Sequence, residues 1–357
     1  MPFAMRAAVY YRNSDIRIEE RPVPEIGPGE LLVKTIACGL CSGEAMEWYH
    51  APRAPKVMGH EPAGIVVAVG PGVTRFREGD RVFVNHHVGR LQSPEALRGH
   101  FTRDPAYART NLDPGAMCEY FRAPAANVEN DAHVLPANVS DEEAAIVEPW
   151  ACVVGGLKVA GIQPGDTVAV VGAGFMGQGF VHMAPLMGAA TIFALDFSDW
   201  RLEKACEMGA THVINPRIEP ALEKMKDLNR GRGADAVIVT VPNVRALEMA
   251  YGLVATGGTL HLNAPPPATE RWSIDPEHLY FNEITITTKY SADHRDTAQL
   301  LHWLAAGRVR PRPAITHRFP LEGVQTAMDL LLKADRSLKS IIYPHGVPAF
   351  AGSAPRE

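Results

Sequence analysis

The stretch Val168-Ala-Val-Val171-Gly172-Ala-Gly174-Phe-Met-Gly177 decides how the second half of this chain folds. Four apolar residues suit a buried strand, and the glycines that follow, spaced G-x-G-x-x-G, suit a tight turn into a helix. A second apolar run begins at Phe193 and ends at Asp196. This order of strand, glycine turn, helix and acidic residue predicts a dinucleotide site with the pyrophosphate at the N-terminus of the helix.

Each residue of this motif has a distinct expected task. Gly172, Gly174 and Gly177 let the phosphates approach bare main chain. Asp196 can accept hydrogen bonds from both ribose hydroxyls of NAD, and its charge would repel the 2′-phosphate of NADP. Arg201 either lines the adenosine pocket or is an ordinary solvated arginine. The motif therefore predicts NAD as a cofactor.

The segments around the motif indicate the fold class, which is α/β. Apolar runs alternate with helical stretches beyond Gly165, which is typical of a doubly wound parallel sheet covered by helices. Before about residue 147, short β-rich runs separated by Gly and Pro predict a mostly β domain. The apolar runs of the second region are 168–171, 193–196, 213–214, 236–240 and 259–262.

The same pattern gives a domain organisation. Two helical stretches, 297–306 and 321–333, and a strand at 340–343 follow the second region, and we expect them to return to the first domain. The predicted boundaries place the first domain at 1–155, the nucleotide-binding domain at 156–290, the returning segment at 291–345 and a frayed tail at 346–357.

The composition excludes several classes of partner. Of 357 residues, 46% are hydrophobic and 21% charged, as in folded globular proteins. A net charge of -5 leaves no excess of cations for nucleic acid or anionic membranes. Five irregularly spaced cysteines predict no disulfide framework and a cytoplasmic protein. The nearly uncharged segment 167–195 contains Gln178, His182 and Pro185, which argue against a transmembrane helix. A small-molecule substrate fits best.

Potential metal ligands occur in three separate motifs. These are Cys38-Gly-Leu-Cys41, Gly59-His60-Glu61 and Glu148-Pro149. A thiolate, an imidazole and carboxylates suit a catalytic zinc with one open position. Each alone could be a buried cysteine, a loop histidine or a surface glutamate. The Cys-x-x-Cys motif alone could be a redox pair or half of a zinc knuckle, but no second cysteine pair completes a knuckle.

Together these motifs resemble the zinc-containing medium-chain alcohol and polyol dehydrogenases over residues 5–343. The resemblance implies a GroES-like β domain interrupted by a Rossmann domain, and zinc ligands at Cys41, His60, Glu61 and Glu148. It also implies that Glu44 orients the liganding histidine and that Lys339 lies near the cofactor phosphates. Subunits of this family join through edge strands, for which 284–288 is the candidate, so a homodimer or homotetramer is expected.

Departures from the family bear on the metal content. Its structural-zinc cysteines correspond to Arg90, Ser93, Ala96 and Asp104 here, which cannot form a tetrathiolate site. We therefore predict one catalytic zinc and no structural zinc. A substitute site is the alternative, whereas ordinary loop histidines are the interpretation that we favour. The substitute would use His86, His87, His100 and Cys118.

Other departures bear on the proton path and the pocket. Gly43 and Met46 stand where the family has a hydroxyl and a histidine that relay the substrate proton. Ser42, Tyr49 or His50 could replace them, or a water flanked by Glu61 and Glu148 could. Gly155 and Trp150 indicate either a reshaped pocket or ordinary packing.

The resemblance implies hydride transfer between NAD and a secondary alcohol, which becomes a ketone, or the reverse. It favours a polyol, cyclitol or sugar-like substrate. A redox-neutral epimerase or lyase with tightly held NAD is an alternative, as is a noncatalytic NAD sensor. A sensor would have no physical need for metal ligands.

Overall fold

A computed structural model describes residues 2–349, so residues 350–357 of the expected tail lie outside it. Its strands alternate with helices after residue 165, as the apolar runs predict. The strands are β1 (Ala4–Arg12), β2 (Asp15–Pro22), β3 (Leu31–Gly39), β4 (Lys56–Val57), β5 (Glu61–Val69), β6 (Arg81–Val84), β7 (Tyr120–Ala123), β8 (Ala132–Val134), β9 (Thr167–Val171), β10 (Thr191–Leu195), β11 (His212–Ile214), β12 (Ala234–Val239), β13 (Val254–Leu262), β14 (Thr285–Thr288), β15 (Ile315–Pro320) and β16 (Lys339–Tyr343).

The longer helices lie mostly in the second half of the chain. The α-helices are α1 (Glu47–His50), α2 (Pro94–Leu97), α3 (Ala125–Asp131), α4 (Asp141–Ala144), α5 (Val147–Ala160), α6 (Phe175–Met183), α7 (Asp199–Glu207), α8 (Ala221–Leu228), α9 (Val244–Leu253), α10 (Pro276–Phe281), α11 (His294–Ala305) and α12 (Val324–Lys333). Short 3-10 helices occupy Ser42–Ala45, Ala51–Arg53, Phe101–Arg103, Tyr107–Arg109, Ala184–Met187, Arg312–Ala314 and Leu321–Gly323.

Contacts divide the chain into two units. One runs to Glu148 and resumes at Ile315, and the other is Pro149–Ala314. The expected return to the first unit at residue 291 thus comes later, because α11 belongs to the second unit. Its Asp296 accepts a hydrogen bond of 2.8 Å from Lys158 of α5 and lies 3.5 Å from Lys289.

The second unit contains a six-stranded parallel sheet in the order β11-β10-β9-β12-β13-β14. In chain order this is 3-2-1-4-5-6, the arrangement of doubly wound dinucleotide-binding folds. Phe193, Val237 and Leu260 are fully buried in its core. The predicted doubly wound sheet is confirmed, and β14 is an edge of it.

The first unit is mostly β. A seven-stranded sheet has the order β15-β16-β3-β5-β6-β8, and β7 also pairs with β3. A smaller sheet has the order β2-β1-β4. Met5, Tyr10 and Phe121 lie in the core of this unit. The predicted β-rich first domain is confirmed.

Two residues considered for a reshaped pocket have packing roles. A Cβ on Gly155 would lie 2.8 Å from Asp296 Oδ2, so a larger residue there would displace the Asp296 side chain. The Trp150 ring is fully buried and stacks on Phe175 with ring centroids 5.5 Å apart. Gly179 makes room for this ring, since a Cβ there would lie 2.9 Å from Trp150 Nε1. Both positions are explained by packing within the second unit.

No helix within residues 2–349 is long and apolar enough to cross a membrane. The nearly uncharged segment 167–195 instead folds as β9, α6, a 3-10 turn and β10.

Candidate active site

Strand pairing brings the metal-ligand motifs together. β3 and β5 are antiparallel, and Gly39 at the end of β3 faces Glu61 at the start of β5. Cys41 follows β3 directly, and His60 precedes β5. One ligand atom from each of Cys41, His60 and Glu61 lies within 4.8 Å of the other two. Three of the four expected ligands therefore converge, and Glu148 lies outside this group.

Glu44 orients His60 as the sequence predicts. Its Oε1 lies 2.9 Å from His60 Nδ1 and accepts a second hydrogen bond, of 3.0 Å, from Gly59 N. Burial raises the pKa of Glu44, but the hydrogen bond to His60 and the charges of His60, Lys56 and His50 together outweigh burial and lower that pKa to about 2. Because Nδ1 is held by a carboxylate, Nε2 remains available to a metal.

Lys339 lies beside Glu61, a contact that the resemblance did not imply, and its expected place near the cofactor phosphates stays a prediction. Its Nζ is 2.5 Å from Glu61 Oε2 and donates to Leu40 O at 3.1 Å. Both side chains are almost fully buried, and a buried carboxylate requires an opposite charge. β16 pairs with one edge of β3, with Ile341 opposite Gly39, and β5 pairs with the other edge. The side chains of Lys339 and Glu61 therefore meet across β3.

Gly39 makes this ion pair possible. A Cβ at this position would lie 2.0 Å from Glu61 Oε2, so any side chain would displace the carboxylate. The glycine of Cys38-Gly-Leu-Cys41 is thus required by the path of the Glu61 side chain over β3. Sequence reasoning missed this contact, and the only local signal for it is a glycine, the one residue type without a Cβ, between the two cysteines.

Glu148, the second residue of α5, is buried near the converging ligands. Burial raises its pKa, and the charge of Glu61 adds to this effect. The charges of His60 and Lys339 act in the opposite direction. Its Oε1 is 3.9 Å from His86 Nδ1. This carboxyl group is therefore placed to hold a proton beside the three-residue group.

The glycine turn of the second unit has the expected shape. Gly172 has φ +97°, and a Cβ on Gly177 would lie 1.9 Å from Gly172 O, so helix α6 packs tightly against the turn. Asp196 follows β10 and accepts hydrogen bonds from Ala173 N at 2.8 Å and Ser198 N at 2.9 Å.

The space in front of Gly174 in this turn is nearly free of neighbouring atoms. A Cβ on Gly174 would have only Arg201 Nη1 nearby, at 3.9 Å. Arg201 Nη1 is 3.8 Å from Asp196 Oδ2. The structure thus brings all five predicted nucleotide-site residues of this unit together around one turn.

Comparisons with known proteins match both units. The model of the protein family described as "Alcohol dehydrogenase GroES-like domain" matches residues 27–133. The model of the family described as "Zinc-binding dehydrogenase" matches residues 176–306. The sorbitol dehydrogenase of Bacillus subtilis (strain 168) is 33% identical over 97% of this chain and 99% of its own. The chain belongs to the zinc-containing medium-chain dehydrogenase/reductase family.

Two further relatives refine the placement within this family. The L-threonine 3-dehydrogenase of Caldanaerobacter subterraneus subsp. tengcongensis is 30% identical over 94% of this chain and 97% of its own. A short chain alcohol dehydrogenase from Escherichia coli CFT073, solved with NADH, has a TM-score of 0.85 at 25% identity, covering 96% of this chain and 100% of that one.

The relatives place the chain in the sorbitol and threonine dehydrogenase branch of the family. It is an oxidoreductase that acts on the CH–OH group of a secondary alcohol, with zinc and a nicotinamide dinucleotide as cofactors. The redox-neutral enzyme and the noncatalytic sensor are not favoured by these comparisons.

At the family's structural-zinc positions, polar contacts join the corresponding residues. The guanidinium of Arg90 lies 3.2 Å from the buried carboxylate of Asp104. Ser93 caps helix α2 by accepting a hydrogen bond of 3.2 Å from Ala96 N.

The four residues of the substitute site have different partners. His87 Nδ1 bonds to Thr110 O, and the ring of His86 lies against that of His60. Cys118 Sγ donates to Gly115 O and Tyr120 O. His100 is exposed. Within residues 2–349, Cys41, His60 and Glu61 form the only group of three or more potential metal ligands.

Among the three relay candidates, His50 is the buried one. Its Nε2 is 3.0 Å from Gly43 O, at the position where the family has a hydroxyl. Tyr49 is partly exposed and packs under the guanidinium of Arg53, and Ser42 is exposed. Cys38 is a core thiol whose pKa is raised by burial, which argues against a reactive Cys38-Cys41 pair.

Proposed function

We propose that this chain oxidises a polyol-like or sugar-like secondary alcohol with NAD, at a single zinc ion held by Cys41, His60 and Glu61. The observation that carries this proposal is the convergence of their ligand atoms within 4.8 Å. Three protein ligands with one open position are typical of catalytic zinc sites. The names of the sorbitol and threonine dehydrogenase relatives support a substrate with more than one polar group.

The residues around this group fit a metal. When bound, zinc would make the substrate hydroxyl more acidic, and NAD would accept the hydride. Glu44 fixes the ring of His60 so that Nε2 is left for the metal. Lys339 holds Glu61 from the other side. Glu61 Oε1 is buried and has no hydrogen-bond partner within residues 2–349, so this oxygen is available as a metal ligand.

Glu148 is the group that we propose takes the proton of the substrate hydroxyl. It lies outside the three-residue group but close enough for the charges of His60 and Glu61 to act on it. Burial raises its pKa, which brings a carboxylate closer to the range useful for a base near neutral pH. Gly43 and Met46 offer no titratable group, so a base near the ligands replaces the family's relay.

The preference for NAD over NADP rests on Asp196. Its carboxylate accepts one main-chain hydrogen bond from Ala173 in the glycine turn and a second from Ser198. A carboxylate at this position pairs with the ribose hydroxyls and repels a 2′-phosphate.

The proposal of a single zinc is based on Arg90 and Asp104. An arginine–carboxylate pair at these positions offers no set of thiolates for a structural zinc. Assembly through β14 and a cytoplasmic location stay predictions.

The test is to incubate the purified protein and NAD with simple alcohols, polyols and aminocyclitols, recording NADH absorbance and product mass. We expect NADH and a ketone from polyols, about one zinc per chain, and loss of turnover after chelation that zinc reverses. A product of unchanged mass without NADH would contradict net oxidation. Two tightly held zinc ions per chain would contradict the single site.

A further inference from the structure

His86 lies beside the candidate metal ligands on a rigid main-chain segment. It follows β6, where Asn85 N donates to Asp131 O at 3.0 Å. Asn127 Nδ2 donates to the carbonyl oxygens of Asn85 and His86 at 2.8 and 2.9 Å. These bonds fix the position from which the imidazole extends.

The imidazole of His86 packs between two other histidine rings. Its centroid is 4.6 Å from that of His60 and 4.1 Å from that of His87. His87 has its own partner, because its Nδ1 bonds to Thr110 O. This stack of tilted rings restricts the orientation of the His86 imidazole.

One ring nitrogen of His86 is buried without a hydrogen bond. His86 Nδ1 has no hydrogen-bond partner within residues 2–349, and the carboxylate oxygen Glu148 Oε1 is 3.9 Å away. A buried polar atom left unpaired is unfavourable, because it has given up its hydrogen bonds to water. A bound ligand that completes the hydrogen bond would account for such an atom. The polar edge of His86 faces the group that we propose takes the substrate proton.

We propose that His86 hydrogen-bonds a second hydroxyl of the substrate, on the carbon next to the one that is oxidised. This inference rests on the proposed function and names the feature of the substrate that the site selects. A neutral imidazole can donate or accept such a bond. A simple alcohol leaves His86 Nδ1 unpaired, so the enzyme discriminates against substrates without the second hydroxyl.

The test compares butane-2,3-diol with 2-butanol, which differ by one hydroxyl. His86→Phe retains an aromatic ring in the stack and removes both nitrogens. We expect its kcat/KM for the diol to fall about tenfold or more, while that for 2-butanol stays within about threefold. His86→Asn keeps a polar atom near the position of Nδ1 and should restore part of the preference. His100→Phe, an exposed histidine of the same region, is the matched control.

Each result bears on a different claim. Equal losses on both alcohols in His86→Phe, or no loss on either, would overturn the role of His86 while leaving the dehydrogenase intact. A wild-type enzyme without preference for the diol would overturn it as well. Failure of the wild type to oxidise either alcohol would contradict the proposed function, and the role of His86 with it. Zinc content and circular dichroism of each variant identify losses caused by misfolding.

Discussion

Lys339→Met tests whether the buried ion pair with Glu61 holds the first unit together. The two charged atoms are 2.5 Å apart, and their side chains are 2% and 0% exposed. Removing one partner of such a pair leaves an uncompensated buried charge and costs about 3–5 kcal/mol. Lys339 also donates to Leu40 O, so that carbonyl loses its charged donor. We therefore expect a large loss of stability in the metal-free protein.

Hydrogen exchange of the chelator-treated protein, measured by mass spectrometry, resolves the two units. If the free energy of unfolding falls by about 3–5 kcal/mol, exchange of amides in β3, β5 and β16 should accelerate between about 10²- and 10⁴-fold. Amides of β12 and β13 in the second unit serve as an internal reference. Adding zinc should reduce the acceleration of exchange in the Lys339→Met protein, because a cation beside Glu61 compensates the negative charge of its carboxylate.

Two variants make the result specific. Lys339→Met with Glu61→Gln removes both charges and should recover most of the protection, since a buried pair replaced as a whole costs little. Lys204→Met breaks a surface pair with Glu207, for which about 0–1 kcal/mol is expected. Unchanged exchange in β3, β5 and β16 of the Lys339→Met protein would refute the reasoning, as would equal effects of Lys339→Met and Lys204→Met.

The remaining predictions concern the base and the cofactor. Glu148→Gln should slow alcohol oxidation and remove the part of the pH profile in which activity rises as the carboxyl group loses its proton, because the base form is the active one. Retained activity and an unchanged profile with zinc still bound would exclude Glu148 as the base. Asp196→Gly should narrow the ratio of kcat/KM for NAD over NADP, and an unchanged ratio would show that other groups set the preference.

The second unit could be predicted from sequence because its signals are local. The motif around Gly172 specifies strand, turn and helix within ten residues, and parallel strand runs are continuous and apolar. The boundary at 314 could not be read in this way. Helix α11 belongs to the second unit through Asp296, whose partner Lys158 is 138 residues away in the sequence. Helical periodicity shows that a helix has an apolar face but does not show which sheet it covers.

At the candidate site, too, the sequence indicates which residue types are present but not which side chains meet in the folded protein. Ligand chemistry restricts which residue types can serve, and the resemblance carried by the motifs implied Cys41, His60 and Glu61 as ligands. The motifs could not show that Lys339 faces Glu61, since this depends on β16 and β5 pairing with opposite edges of β3. Nor could they separate His86 from His87, which are neighbours in the chain with different surroundings. One lies against the ligand His60, and the other bonds to a loop carbonyl.

Gly39 permits the contact between Glu61 and Lys339. Because it has no side chain, the Glu61 carboxylate can cross β3 and reach Lys339. A Gly39→Ala change should therefore act through Glu61 and not through the backbone, since Gly39 does not have a positive φ. The displaced carboxylate would leave Lys339 without its partner. The losses of stability caused by Gly39→Ala and by Lys339→Met should therefore not be additive. Additive losses, measured as hydrogen exchange of β3 in the double variant, would show that the glycine serves another purpose.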